Sequence, residues 1–153
     1  MKLLLHLLLL SFSFVQAAGF ASETLIKTAT GTLKRIDEVL CFDKKFRLKP
    51  EPVLGIATIR ASSVIHITTE DNITIIAQNE ELLFDPEKNE WVMAINLTPG
   101  SHLLNSELKS IKVTHVKESL KPQEICIISV NKEHNFLASK GQYLVHNGPI
   151  AAW

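Results

Sequence analysis

The hydrophobic positions of this chain fall into two regimes. From Leu3 to Val15 they run almost unbroken, interrupted by His6, Ser11 and Ser13. From about residue 24 they come as short runs with polar residues between them: "TLIKT", "VLCFD", "PVLGIATIR", "SVIHITT", "NITIIAQ", "EWVMAI", "SHLL", "SIKVTHVKE" and "EICIISV". These runs are rich in Val, Ile and Thr, and "SIKVTHVKE" alternates faces for most of its length, the pattern of half-buried strands. Turn residues punctuate them at Ala29–Gly31, Asp71-Asn72, Thr98-Pro99-Gly100 and Lys121-Pro122. Only residues 36–39 and 79–83 offer even a turn of helix. No Pro/Gly/Ser-rich linker and no repeat of fixed period divides the sequence. The pattern predicts one all-β domain from about residue 19 to residue 148, followed by a short tail at 149–153.

The first regime has a different character. Lys2 gives it a positive start, and Val15-Gln16-Ala17 supplies small or medium residues where a signal peptidase reads them. That layout predicts a secretory signal over residues 1–18, removed near Ala18 or Gly19. A stable membrane anchor is the rival, but a spanning helix needs ~20 apolar residues and this run is shorter. The expected location is therefore secreted or periplasmic.

Charge adds an exclusion. Lys plus Arg and Asp plus Glu balance at 16 each, so there is no electrostatic footprint for nucleic acid or an acidic membrane surface. The cysteines are Cys41 and Cys126. Export permits a disulfide between them, but both stand in β-type runs where a small buried thiol fits equally well. Without His partners at ligand spacing they make no zinc site, and nothing in the sequence calls for a metal or another cofactor. "NIT" at Asn72 and "NLT" at Asn96 match the glycosylation acceptor pattern.

The most informative stretch comes near the end: "EICIISVNKEHNFLASKGQYLVHNG". It places His134-Asn135-Phe136, a turn at Gly141, an apolar triplet and a final His146-Asn147. This stretch resembles the C-terminal motifs of the Hint superfamily, the hedgehog and intein self-processing domains. "GFASETLIKTATGTLKRIDEV" is similar to that superfamily's opening motif, and "EWVMAINLTPGSHLL" to a middle segment of the form W-x-x-A-x-x-L-x-x-G-x-x-L. The form most like this one is the bacterial intein-like kind of secreted and toxin-associated proteins. The resemblance covers nearly all of the expected mature protein. It implies an all-β Hint fold in which long strands near residues 53–69 and 110–130 curve through the whole body. It also implies that Gly19 and Asn147 lie close together.

It further implies a chemistry, with the protein's own Asn147–Gly148 bond as substrate. The Asn147 amide closes a five-membered ring on its own backbone carbonyl, helped by proximity within one residue. The Gly148 amine leaves, and a succinimide remains on Asn147. The leaving amine needs a proton and the carbonyl oxygen needs a donor. Imidazole titrates near neutral pH and serves either need. His146 and His134 are where the resemblance puts those donors. Each piece also has an ordinary reading: a histidine at a strand end is commonly structural, and Asn-Gly is a turn dipeptide that deamidates with the backbone left intact.

Departures from the family pattern limit the activity. The family opens with Cys or Ser, and the matching position here is Gly19, which has no nucleophile for an acyl shift. A Thr and a His three apart are matched by Ile76 and Asn79. An Asp or Asn on the "EICIISV" strand is matched by Ile127. Splicing also needs Cys, Ser or Thr after the last Asn, where Gly148 stands. If the signal is removed as expected, no upstream bond remains for a nucleophile at position 19. Full splicing is not expected from these residues. Two readings stay open: a degenerate Hint domain that cuts after Asn147, or an inert Hint-fold domain used as scaffold or binding module. An unrelated secreted β-barrel is a third, and would make the end motif a coincidence.

Overall fold

The computed structural model describes residues 20–21, 38–130 and 134–146. Secondary structure there is almost entirely strand. The frame is a long two-stranded ribbon. β3 (Leu48–Ala61) pairs antiparallel with β10 (Gln123–Val130), and β4 (Val64–Thr69) pairs antiparallel with β9 (Ser110–Ser119). The two long strands expected from sequence are thus each broken in two. The breaks face one another, because Ala61 pairs with Gln123 while Val64 pairs with Ser119. Ser62-Ser63 lies on one side and Leu120-Lys121-Pro122 on the other. Proline cannot donate to a ladder, so pairing is interrupted at Pro122. Register irregularities at Ser129/Val130 and Thr68/Thr69 mark further local bending.

The remaining strands complete two sheets. β2 is Glu38–Phe42, β5 is Thr74–Ala77, β8 is His102–Leu104, and the short β1 is Phe20–Ala21. With the ribbon they form one sheet in the order β2-β3-β10-β1-β5-β4-β9-β8. The second sheet takes β6 (Leu82–Asp85), β7 (Glu90–Met93), β11 (Asn135–Ala138) and β12 (Tyr143–His146) in the order β11-β12-β6-β7. The all-β expectation holds. The helical turn does not fall at 79–83, since Leu82–Asp85 is buried strand; among the described residues a 3₁₀ turn stands instead at Ala94–Asn96. The four residues 82–85 are buried one after another, and a run buried on both faces reads ambiguously between strand and helix.

Burial follows the strand period. In β4, Ile65 and Ile67 enter the main core while His66 and Thr68 stand half-buried on the other face. That core joins Ile65, Ile67, Ile75 and Ala77 of the large sheet to Leu83, Phe136, Tyr143 and Val145 of the small one. A second cluster gathers Phe42, Phe84, Leu104, Leu137 and Leu144, with Trp91 against it. No disulfide joins Cys41 and Cys126. Cys41 is on β2 and Cys126 on β10, with β3 between them. Two strand spacings amount to about 10 Å, beyond the ~7 Å Cα reach of a disulfide. Asn72 and Asn96 are both exposed. No helix among the described residues is long and apolar enough to cross a membrane.

Candidate functional site

The closing hairpin β11–β12 carries the described part of the predicted site. Its loop, residues 139–142, is built by left-handed backbone at Ser139 (φ 66°) and Gln142 (φ 50°). The Gln142 N–H donates to the Ser139 carbonyl at 3.1 Å, and the Gly141 N–H donates to Ser139 Oγ at 3.2 Å. Gly141 is required by contact: a Cβ there would run into the Tyr143 ring. That ring is fully buried. Its hydroxyl lies 2.8 and 2.9 Å from the two carboxylate oxygens of Asp71, to which it donates, and 2.9 Å from Thr69 Oγ1, which itself donates to Asp71. Burial first, and then the Asp71 carboxylate, hold the phenol above its ordinary range. This network fastens the hairpin to the turn between β4 and β5.

Register sets the histidines. Asn135 pairs with His146 across the hairpin, and His146 pairs with Leu82 of β6 on its other side. His146 is 1% exposed. Its ring meets Trp91 of β7 edge-on, with centroids 5.0 Å apart and planes at 70°. His134 precedes β11 with left-handed backbone (φ 53°) and is half-buried. It stacks on His146 at 6.4 Å and 27°. The structure therefore brings the two predicted histidines together. Asn147, the third predicted site residue, lies outside the described residues, as do Gly148, Gly19 and residues 1–18. Ala77, the partner of Phe20, and Val145, which precedes His146, belong to one core cluster.

The positions that depart from the family pattern do structural work. Ile76 packs against the small cluster of Ala61, Val64 and Ile125. Asn79 accepts a bond from Ser63 Oγ at 3.4 Å, and its carbonyl accepts one from the Ile95 N–H at 3.0 Å. Ile127 is half-buried opposite Ala57.

Three further buried or half-buried residues were not singled out by sequence. Trp91 is the aromatic wall of His146. Asn135, inside the His-Asn-Phe motif, is buried and acts as a main-chain mimic: its Oδ1 accepts the Phe42 N–H at 2.9 Å and its Nδ2 donates to the Phe42 carbonyl at 3.0 Å. It bonds the edge strand β11 to β2 of the other sheet. Asn135→Ala should leave both Phe42 groups unpaired and destabilise by about 1–3 kcal/mol for each buried group left without a partner. Thermal melting should read that loss, and a melt unchanged from wild type would show that water replaces the amide.

Glu81 is the third. It is 2% exposed, and burial pushes its carboxyl well above the usual carboxylate range. The folded protein therefore holds a proton that the unfolded one releases above about 4.5. Native protein binds more protons in that window, so this group's contribution to stability is greatest below it and falls as pH rises through the folded value. Glu81→Leu should flatten this decline in denaturant melts taken from acid to mildly alkaline pH. A decline of equal slope in wild type and variant would show that Glu81 is not its source. An acid next to the apolar Leu82-Leu83-Phe84 was the only available signal for it.

A two-sheet, all-β body with a closing His-His hairpin is an intein-like architecture, and solved structures agree. A DnaB intein from Synechocystis sp. PCC 6803 superposes with a TM-score of 0.71 at 19% identity, covering 86% of this chain and 99% of that one. A bacterial intein-like domain from Clostridium thermocellum gives 0.70 at 22%, over 86% and 96%. The transcription factor IIB Mvu mini-intein gives 0.64 at 24%, over 72% and 71%. Neither a protein-family model nor a curated protein sequence matches. The protein has the Hint, or intein-like, fold.

Proposed function

We propose that this protein is an exported, degenerate Hint domain that does not splice, and that its remaining self-processing is cleavage of its own Asn147–Gly148 bond. The observation that carries this reading is the His146 imidazole, buried between Trp91 and His134, in the residue directly before Asn147. The Asn147 Nδ2 attacks its own carbonyl carbon, the bond to Gly148 breaks, and a succinimide forms. His146 protonates the departing Gly148 nitrogen, and the proton that Nδ2 gives up on ring closure replaces the one the imidazole has donated. His134, stacked on His146, supplies the donor for the carbonyl oxygen. The scheme calls for no cofactor. The upstream half-reaction lacks its groups at Gly19, Ile76 and Asn79, and Gly148 cannot accept an acyl group as a side-chain nucleophile would.

Intact mass of the purified protein at neutral pH over days tests this. Wild type should lose Gly148 to Trp153 and Asn147→Ala should not. The same spectrum reads the other end, where exported material should lack residues 1–17 or 1–18; retention of Met1 would contradict export by a cleaved signal.

The second reading is an inert β domain serving as a scaffold. The hydrophobic packing of Ile76 and the half-buried Ile127 favour it, since apolar side chains stand where the family places its chemistry. It predicts a full-length protein that gains only the mass of deamidation.

A further inference from the structure

The large sheet carries a groove that the cleavage scheme leaves unused. It lies over β4, β5 and β9, on the face turned away from Ile65, Ile67 and the main core. Its volume is about 660 Å³, within the ~300–1,000 Å³ of small-ligand clefts. The polar lining is His66 and Thr68 from β4, Thr74 from β5, and His115, Lys117 and Ser119 from β9; no carboxylate lines it.

Register gathers its nitrogen groups. His66 pairs directly with Lys117, and Thr68 with His115. Directly opposed side chains on one face stand with Cβ atoms ~4.5–5.5 Å apart, so two imidazoles flank one ammonium. Lys117 is exposed and makes no ion pair among the described residues. The balanced charge of the whole chain, 16 against 16, conceals this local excess. A groove lined by one sign of charge attracts the opposite sign, so an anion suits it and a metal ion does not.

Hydrogen bonds fix what each group offers. Thr114 is the extra residue of the bulge opposite Thr68/Thr69. Its hydroxyl donates to the Thr68 carbonyl at 3.1 Å, so in its 3.1 Å contact with His115 the Nδ1–H donates to Thr114 Oγ1. Nε2 of the neutral His115 ring is then an acceptor. Thr68 Oγ1 and Thr74 Oγ1 lie 3.0 Å apart; one donates to the other, which leaves one hydroxyl proton for a ligand. Ser119 Oγ accepts the Lys121 N–H at 3.4 Å and keeps its own proton. We infer that this groove binds a phosphate group, as free phosphate or as the head of a small phosphomonoester. Lys117, the Thr68–Thr74 pair and Ser119 donate to its oxygens. Its last proton leaves near pH 6. At neutral pH a phosphate oxygen can therefore donate that proton to His115 Nε2, or give it up to leave an imidazolium beside a dianion. Sulfate carries no such proton and satisfies Nε2 only if the ring is already charged. The space beyond one phosphate takes the organic part of an ester.

The test titrates the full-length protein with inorganic phosphate, glycerol 3-phosphate and sulfate at constant ionic strength and neutral pH, read by calorimetry and by the imidazole NMR signals. Both phosphates should bind saturably and more tightly than sulfate, moving the signals of His66 and His115 and leaving those of His134 and His146 in place. Tighter binding of the ester assigns the groove to a phosphomonoester, and equal binding assigns it to free phosphate. Lys117→Gln, an exposed position, should weaken either by roughly 10- to 100-fold, the loss of one hydrogen bond to a charged group, with melting and cleavage unchanged. His115→Gln should remove the preference for phosphate over sulfate. No saturable binding in wild type, equal affinity for phosphate and sulfate, or a Lys117→Gln variant that binds as wild type does would overturn the inference.

Discussion

His146→Ala should slow cleavage after Asn147 by ~10²–10⁴-fold, the range of positioned acid-base help. Two effects add in this variant. The departing Gly148 nitrogen loses its proton donor, and the Trp91 edge loses the ring it packs against. The packing loss alone would lower the melting temperature without acting on the chemical step. His146→Gln separates the two, since it refills part of the volume with a group that cannot give a proton as an acid. A His146→Gln variant that folds normally and cuts at the wild-type rate would remove His146 from the mechanism. His134→Ala should have a smaller effect, because that ring is half-buried and meets His146 by stacking at 6.4 Å.

Gly141→Ala should give the largest loss of stability of any small substitution in the closing hairpin. The added methyl would land on the far end of the Tyr143 ring. Far ends of side chains often swing away, but this one cannot do so freely. The ring is fully buried, and its hydroxyl is tied to Asp71 and Thr69. Relief requires either breaking those bonds or moving the 139–142 loop, whose left-handed residues already constrain it. Overpacking of this kind costs about 1–3 kcal/mol, and a hydrogen bond broken to a charged group adds about 1.5–3 kcal/mol. Gly141→Ala combined with Tyr143→Phe should recover little, because the methyl meets ring carbons as well as the hydroxyl. Gly141→Ala with Tyr143→Leu should recover more. Equal melting of wild type and Gly141→Ala would show that the loop shifts at no cost.

Much of this fold was legible in the sequence, and the reasons are local. Branched apolar runs bounded by turn residues located most strands, and "YLVH" and "NFLA" are observed strands within the motif that suggested the fold. What was missed depends on distance along the sequence. Asn135 bonds Phe42 across 93 positions, and no local pattern announces that pairing. The matched breaks at Ser62-Ser63 and Leu120–Pro122 need both strands in register before either is visible as an interruption. Residues 79–83 offered a turn of helix, whereas Leu82–Asp85 is strand buried at every position. Only the sheet partners Val145 and Met93 show that the run is strand. Trp91 was legible as an aromatic of the middle segment, but not as the wall of His146.

The cleavage reading turns on the chemical identity of one new terminus. Tandem mass spectrometry of the C-terminal peptide, after incubation of the purified protein at neutral pH, reads it directly. The account predicts a fragment ending at Asn147 as a succinimide, or as its hydrolysis products, together with the free Gly148–Trp153 peptide, and neither species from Asn147→Ala. A protein that keeps Gly148 through Trp153 and shows only deamidation at Asn147 would contradict it.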